Sequence, residues 1–143
     1  MSSFVDSCKS STYDEQTHTL WARLQKSDGS YQFSCLELNK HIGNCKGYLE
    51  GGGQGFLNSA KDINYREHPP TLLATLRDAD GAWFPQQALS LGDYIANEDG
   101  VLSWDGDLGG GFPDSGDQDG VGDDVKKFLS PETVSWIEWA RKK

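Results

Sequence analysis

Nowhere does this chain carry an apolar run long enough to cross a bilayer, so no membrane span is expected. Beyond the short runs Lys126-Lys127 and Arg141-Lys-Lys143 no basic patch appears, and a formal charge of −9 argues against a nucleic-acid face, which needs clustered bases to displace counterions. The acidity is uneven, because residues 1–104 hold 13 acids against 8 bases while residues 105–124 hold seven aspartates and no base. Met1-Ser-Ser-Phe-Val-Asp6 has neither the charged nor the apolar region of a leader. The expectation is a cytoplasmic protein, with non-classical release left open. Cysteine is scarce too: Cys8, Cys35 and Cys45 follow no metal-ligand spacing. Reduced thiols are expected, with a Cys35 to Cys45 bridge as the alternative.

Catalytic signatures are equally short. There is no Gly-x-Ser-x-Gly, P-loop or dinucleotide fingerprint. His18, His41 and His68 are not spaced as metal ligands, and His41 has a tyrosine, Tyr94, as its counterpart in the repeat described next. Asp114 to Asp124 suggests calcium, yet Val121 and Phe128 stand where an EF-hand loop needs oxygen ligands. Hence no enzyme, metal or cofactor is assigned.

What the chain does have is a doubled module, with a shift of 52 that becomes 53 past one inserted residue. Phe4-Val-Asp-Ser-Cys-Lys9 answers Phe56-Leu-Asn-Ser-Ala-Lys61, and Thr19-Leu-Trp-Ala-Arg-Leu24 answers Thr71-Leu-Leu-Ala-Thr-Leu76. Asp28-Gly29 falls over Asp80-Gly81, Tyr31 over Trp83, and Leu36, Leu38, Ile42 and Asn44 over Leu89, Leu91, Ile95 and Asn97. Two copies are too few to stack an open solenoid, so the halves are expected to close on each other and to carry related surface sites.

Leu20, Ala22 and Leu24 alternate with Trp21, Arg23 and Gln25, which predicts a strand with one apolar face. Each Asp-Gly pair then predicts a tight turn into a second strand. Leu38 to Ile42 and Leu91 to Ile95 suit a single helical turn, and Lys46-Gly47 and Asp99-Gly100 a second tight turn. Gly51-Gly-Gly53 reads as a hinge where the chain crosses between halves, one that also permits domain swapping. Residues 105–124 read as an acidic connector, in which Gly111 to Ser115 faintly echoes a third module start. Residues 125–143 predict an amphipathic helix with Ser130 as N-cap and Pro131 in the first turn. Its stripe of Val134, Ile137 and Ala140, beside Trp136 and Trp139, is expected to dock on its own domain, with a partner or a membrane surface as alternatives.

Asn44 and Asn97 admit two readings: polar groups offered to a shallow cleft, or local backbone partners that hold the turns at Gly47 and Gly100.

The doubled Ile-xx-Asn-xx-Gly-x-Leu at Ile42 to Leu49 and Ile95 to Leu102, each after a Leu-x-Leu strand end and an Asp-Gly hairpin, resembles the cyanovirin-N homology family. Phe4 to Cys8 is similar to the family's start. The resemblance covers residues 3 to 104 and implies an all-β fold of two pseudo-symmetric halves of short antiparallel sheets, hairpins and short helical turns, here with a C-terminal α-helix extension. One domain over 1–104 is implied, with one half from about 1–41 plus 95–104 and the other from about 42–94, the chain being exchanged between them. It also implies a monomeric, metal-free lectin for mannose-rich glycans, typically terminal α1,2-linked mannose, with a domain-swapped dimer as the alternative state. Carried over by position, a first sugar site would use Ser3, Asp6, Ser7, Gln25, Ser27, Asn97, Glu98 and Asp99. The second would use Asn44, Lys46, Gln54, Gly55, Asn58, Ser59, Arg77 and Asp78. It departs further from the family, since Gly43 lacks a side chain where a carboxylate can sit and Lys46 reverses the expected charge. The family's founding member has a disulfide in each half, whereas Cys8 here meets Leu24, and Ala60 meets Leu76, as in disulfide-free fungal members. Apolar packing must replace about 2–4 kcal/mol of unfolded-state restriction per absent link. The rival reading is a protein-interaction module that recruits a partner through the Trp136 and Trp139 helix.

Overall fold

The computed structural model describes residues 3–104 and 129–142. The first copy runs through a 3-10 turn at Phe4–Ser7, strands β1 (Cys8–Asp14), β2 (Thr19–Gln25) and β3 (Tyr31–Glu37), a 3-10 turn at Leu38–Lys40, and a hairpin of β4 (Ile42–Cys45) and β5 (Tyr48–Gly51). The second repeats it: a turn at Phe56–Ser59, β6 (Ala60–Arg66), β7 (Thr71–Leu76), β8 (Gln87–Ser90), a turn at Leu91–Asp93, and a hairpin of β9 (Ile95–Glu98) and β10 (Val101–Trp104). One helix, α1 (Pro131–Arg141), follows. The expected all-β architecture with a terminal helix is what forms.

Four antiparallel sheets result, in the orders β1-β2-β3, β4-β5, β6-β7-β8 and β9-β10. The closing hairpin of each copy sits on the other copy's sheet. β9 and β10 lie against the Phe4–Ser7 turn and β3, and Ser3 bridges to Ala96; β4 and β5 lie against the Phe56–Ser59 turn and β8, and Gly43 bridges to Gly55. We name β1–β3 with β9–β10 lobe A, and β6–β8 with β4–β5 lobe B.

The repeated apolar positions are the core. Phe4 and Phe56, Leu20 and Leu72, Ala22 and Ala74, Leu24 and Leu76, Leu36 and Leu89, Leu38 and Leu91, and Ile42 and Ile95 all lie in one buried cluster. Each large member contributes about 1.5–3 kcal/mol by leaving water. Trp104 closes the seam, with His41 and Tyr94, equivalent in the repeat, both stacked on its indole at 5.3 and 5.2 Å. That gives His41 the structural role its counterpart implied.

Three expectations need correction. Gly51-Gly-Gly53 joins the repeats, but the chain has changed lobes before it, because β4 and β5 already belong to lobe B. Its glycines serve close approach: a Cβ on Gly53 would stand 2.9 Å from the Gly43 Cα. In the second copy the strand after Asp80-Gly81 begins only at Gln87. The inserted residue and Pro85, which has no N–H to donate, leave a loop there tied by a single bridge, Arg77 to Trp83. Lastly, β2 has two buried faces, since Trp21 on the expected polar side is 1% exposed.

Helix α1 covers that second face. Ile137, Ala140 and Leu129 form a separate apolar cluster with Trp21 and Phe33, and Trp136 meets Phe33 edge-on at 5.5 Å. Ser130 caps the helix by accepting the Thr133 N–H, as expected of it. The Ser130 N–H itself donates to Oδ2 of Asp14, a fully buried carboxylate whose Oδ1 accepts from the N–H groups of Gln16 and Thr17. Among the described residues no helix covers the matching face of lobe B, where Leu73 replaces Trp21 and Thr75 replaces Arg23. The helix therefore docks on its own domain. The acidic connector, the calcium-like run and the module echo lie outside the described residues.

Candidate functional site

At the tip of lobe A three segments distant in sequence converge. Asn97, at the end of β9, donates through Nδ2 to Ser7 Oγ at 2.7 Å and to the Gln25 carbonyl at 2.8 Å, while its Oδ1 accepts the Gly100 N–H at 2.6 Å. The neighbouring turn needs left-handed backbone at both central positions, Asp99 (φ 50°) and Gly100 (φ 91°), and Asp-Gly meets that demand. The turn presents Asp99 to Ser27, whose N–H and hydroxyl both donate to Asp99 Oδ1 at 2.9 Å. The Ser27 N–H, then its hydroxyl, hold the Asp99 carboxyl below its usual range. Gln25 reaches across the Asp28-Gly29 turn to the Gly29 carbonyl at 3.3 Å, and Asp28 accepts from the N–H and hydroxyl of Ser30. Asp6, Glu98 and Asp99 are exposed.

Ser7, Gln25, Ser27, Asn97 and Asp99 are thus brought together. Asp6 precedes Ser7 on the turn, and Glu98 lies between Asn97 and Asp99 on the hairpin. Ser3 is not brought in: its hydroxyl donates to the Gly92 carbonyl and caps the Phe4–Ser7 turn, which ties it to the lobe seam.

Lobe B builds the same frame with different furniture. Asn44 Nδ2 donates to Ser59 Oγ and to the Arg77 carbonyl, both at 2.7 Å, and Oδ1 accepts the Gly47 N–H at 2.7 Å. Ser59 and Arg77 occupy the places of Ser7 and Gln25. Gly55 (φ 79°) starts the Phe56–Ser59 turn, and Asn58 donates its N–H to the Gly55 carbonyl. Asp78 spends its Oδ1 on the N–H groups of Asp80 and Ala82. Gln54 is exposed and its backbone packs on Gly43. Lys46 and Ala79 stand where lobe A has Asp99 and Ser27, so that strap has no equivalent.

In both lobes the Asn side chain is therefore a framework group. Both amide hydrogens are committed and one acceptor site remains. Two features escaped the sequence reading. Gln32 and Gln87 each donate to the glycine carbonyl of the facing hairpin, Gly100 at 2.7 Å and Gly47 at 2.6 Å. Trp83 is 44% exposed at lobe B with the Lys61 ammonium 4.2 Å from its ring centre. Their positional signal is weak: Gln32 and Gln87 lie outside the repeat shift, displaced by the insertion.

All three cysteines are free, so the Cys35 to Cys45 alternative does not form. Cys8 faces Leu24 and Ala60 faces Leu76 across their strands, the register that the absent bridges would occupy. Burial pushes the Cys8 and Cys35 thiols up to about 12. Among the described residues no cluster of His, Cys, Asp and Glu is placed to hold a metal, and no helix is long and apolar enough to cross a membrane.

The described residues thus form a hairpin-exchanged, doubled β scaffold with a polar tip on each lobe. Comparison with known proteins agrees. The CVNH domain matches residues 4–103. A cyanovirin-N homolog of Tuber borchii is 32% identical over 70% of this chain and 96% of its own length, and one of Neurospora crassa is 36% identical over 57% and 77%. The solved structure of a microvirin and mannobiose complex superposes with a TM-score of 0.64 at 31% identity, covering 73% of this chain and 99% of that one. The chain belongs to the cyanovirin-N homology family of lectins, which bind carbohydrate and are not known as enzymes.

Proposed function

We propose that the lobe A tip binds mannose-rich glycans through terminal α1,2-linked mannose, without a metal ion. The observation that carries this is the convergence of Ser7, Gln25, Ser27 and Asp99 about Asn97, an array rich in acceptors for sugar hydroxyls. Each neutral sugar contact yields little because it replaces water, so pre-ordering of the array matters. The Asp99 to Ser27 strap provides that order before sugar arrives. Microvirin, similar in fold and sequence, is solved with mannobiose, which supports the sugar class. Lobe B, with Lys46 and Ala79 in the strap positions and Arg77 for Gln25, is the weaker site.

The interaction-module rival keeps only part of its surface, because Ile137, Ala140 and Trp136 pack with Trp21 and Phe33 while Trp139 stays 51% exposed. Removing the helix is for that reason no clean test. Calorimetric titration with α1,2-mannobiose is: the wild type binds, Asp99→Ala weakens binding at least ~10-fold, equal to about 1.4 kcal/mol, and Lys46→Ala changes it little. Equal affinity in wild type and Asp99→Ala would remove the lobe A assignment.

A further inference from the structure

A cleft of about 230 Å³ opens at the seam of the lobes, where the start of β1 meets the connection between β6 and β7. It shares no lining residue with either tip cluster. One wall is built from polar groups held in place: Glu67 Oε2 accepts the Ser11 N–H at 3.1 Å, and the Ser11 hydroxyl meets the Tyr65 phenol at 2.6 Å. Beside them Ser10 is 8% exposed, lines the cleft, and has no hydrogen-bond partner for its hydroxyl among the described residues. That hydroxyl is open to solvent in the cleft, where a ligand hydroxyl can replace water as its partner. The opposite wall is Val5, Pro69 and Pro70, a C–H surface of the kind the apolar face of a sugar ring covers. The charged side chains of the lining are engaged elsewhere or with each other, the Lys9 ammonium lying 4.8 Å over the Tyr31 ring and Glu67 standing 3.7 Å from the His68 imidazole.

We propose that this cleft takes one uncharged pyranose ring, a third saccharide contact that rests on the lectin reading above and extends it. The volume is below the roughly 300 Å³ at which pockets for larger ligands begin, which suits a terminal residue and not a chain interior. Ser10 donates to or accepts from a ring hydroxyl, Glu67 accepts a second, and the prolines pack the ring face. A contact between the tips raises the effective concentration of a branched glycan at its next site.

The test is a titration with α1,2-mannobiose followed by amide correlation spectra of the wild type, Asp99→Ala and Ser10→Ala. The expected result is that amides of Ser10, Ser11, Glu67 and His68 shift in the wild type and in Asp99→Ala, and stay still in Ser10→Ala. If Ser10→Ala does not fold, Ser10→Thr, which crowds the cleft with a methyl group, shows the same loss. Tip shifts without seam shifts overturn the cleft and leave the lobe A site standing. Seam shifts without tip shifts support the cleft and overturn lobe A. Spectra unmoved throughout overturn both, and seam shifts that persist in both Ser10 variants overturn the role given to the hydroxyl.

Discussion

Asp99 and Ser27 stand 72 residues apart in the chain and are joined by two hydrogen bonds of 2.9 Å to a single carboxylate oxygen. The bonds fasten the β9–β10 hairpin of the second copy to the β2–β3 turn of the first. Their counterparts, Lys46 and Ala79, cannot form them. The strap, one of the differences between the tips, therefore rests on two side chains, and it can be exchanged. Installing Lys46→Asp with Ala79→Ser should give lobe B the same strap and strengthen its mannobiose binding by about 10-fold, or roughly 1.4 kcal/mol. Affinity resolved per lobe by amide shifts checks this, and an unchanged lobe B would show that the strap does not organise the site.

Asn44 and Asn97 each join three segments through three hydrogen bonds. Asn44→Ala and Asn97→Ala should each cost about 2–3 kcal/mol in urea unfolding, since a partly buried donor and acceptors are left unmade. A side chain used only to touch ligand would leave stability within about 0.5 kcal/mol of the wild type.

The helix is pinned through Asp14. Burial pushes its carboxyl up, but the N–H groups of Ser130 and Thr17 and the hydroxyls of Thr133 and Thr17 outweigh that and hold it below the ordinary 3.8. A depressed folded-state pKa contributes stability that is present above the unfolded value and lost as pH falls through the folded one. Helix docking should be intact at neutral pH and weaken only in the acid range below about 4. Asp14→Asn should lower neutral-pH stability by about 1.5–3 kcal/mol and flatten the acid limb. Tryptophan fluorescence, through Trp21 and Trp136 beneath and on the helix, reads both; an acid limb identical to the wild type would contradict the role of Asp14.

The thiols should react in a fixed order. Cys45 is exposed, whereas Cys8 and Cys35 are half-buried and held protonated by burial. With an alkylating reagent at neutral pH, mass spectrometry of the native protein should find one modified site, Cys45, before the others. Equal rates at all three would mean that the strands open on the labelling timescale.

How much of this could be read from the chain depends on whether the information was local. The core was legible because each apolar residue recurs in the second copy, as Phe4 does in Phe56 and Ile42 in Ile95. The hairpins at Asp99-Gly100 and Lys46-Gly47 were legible because a positive φ leaves few residue choices. The cap at Ser130 was a local signal as well. The double commitment of Asn97 was not, because Ser7 and the Gln25 carbonyl reach it only after the hairpins change lobes. Trp21 misled for a similar reason: its strand alternation points outward, and only the docked Ile137 and Ala140 turn that side into a second core. Gln32 and Gln87 escaped because the loop after Asp80-Gly81 breaks the repeat shift that would have paired them.

The most direct measurement is an isotope-filtered NOE experiment on the complex with α1,2-mannobiose. Sugar protons should show contacts to Ser7, Gln25, Ser27 and Asp99 at the lobe A tip. Sugar that binds with none of those contacts, seen instead only at Arg77 and Trp83 in lobe B, would contradict the account.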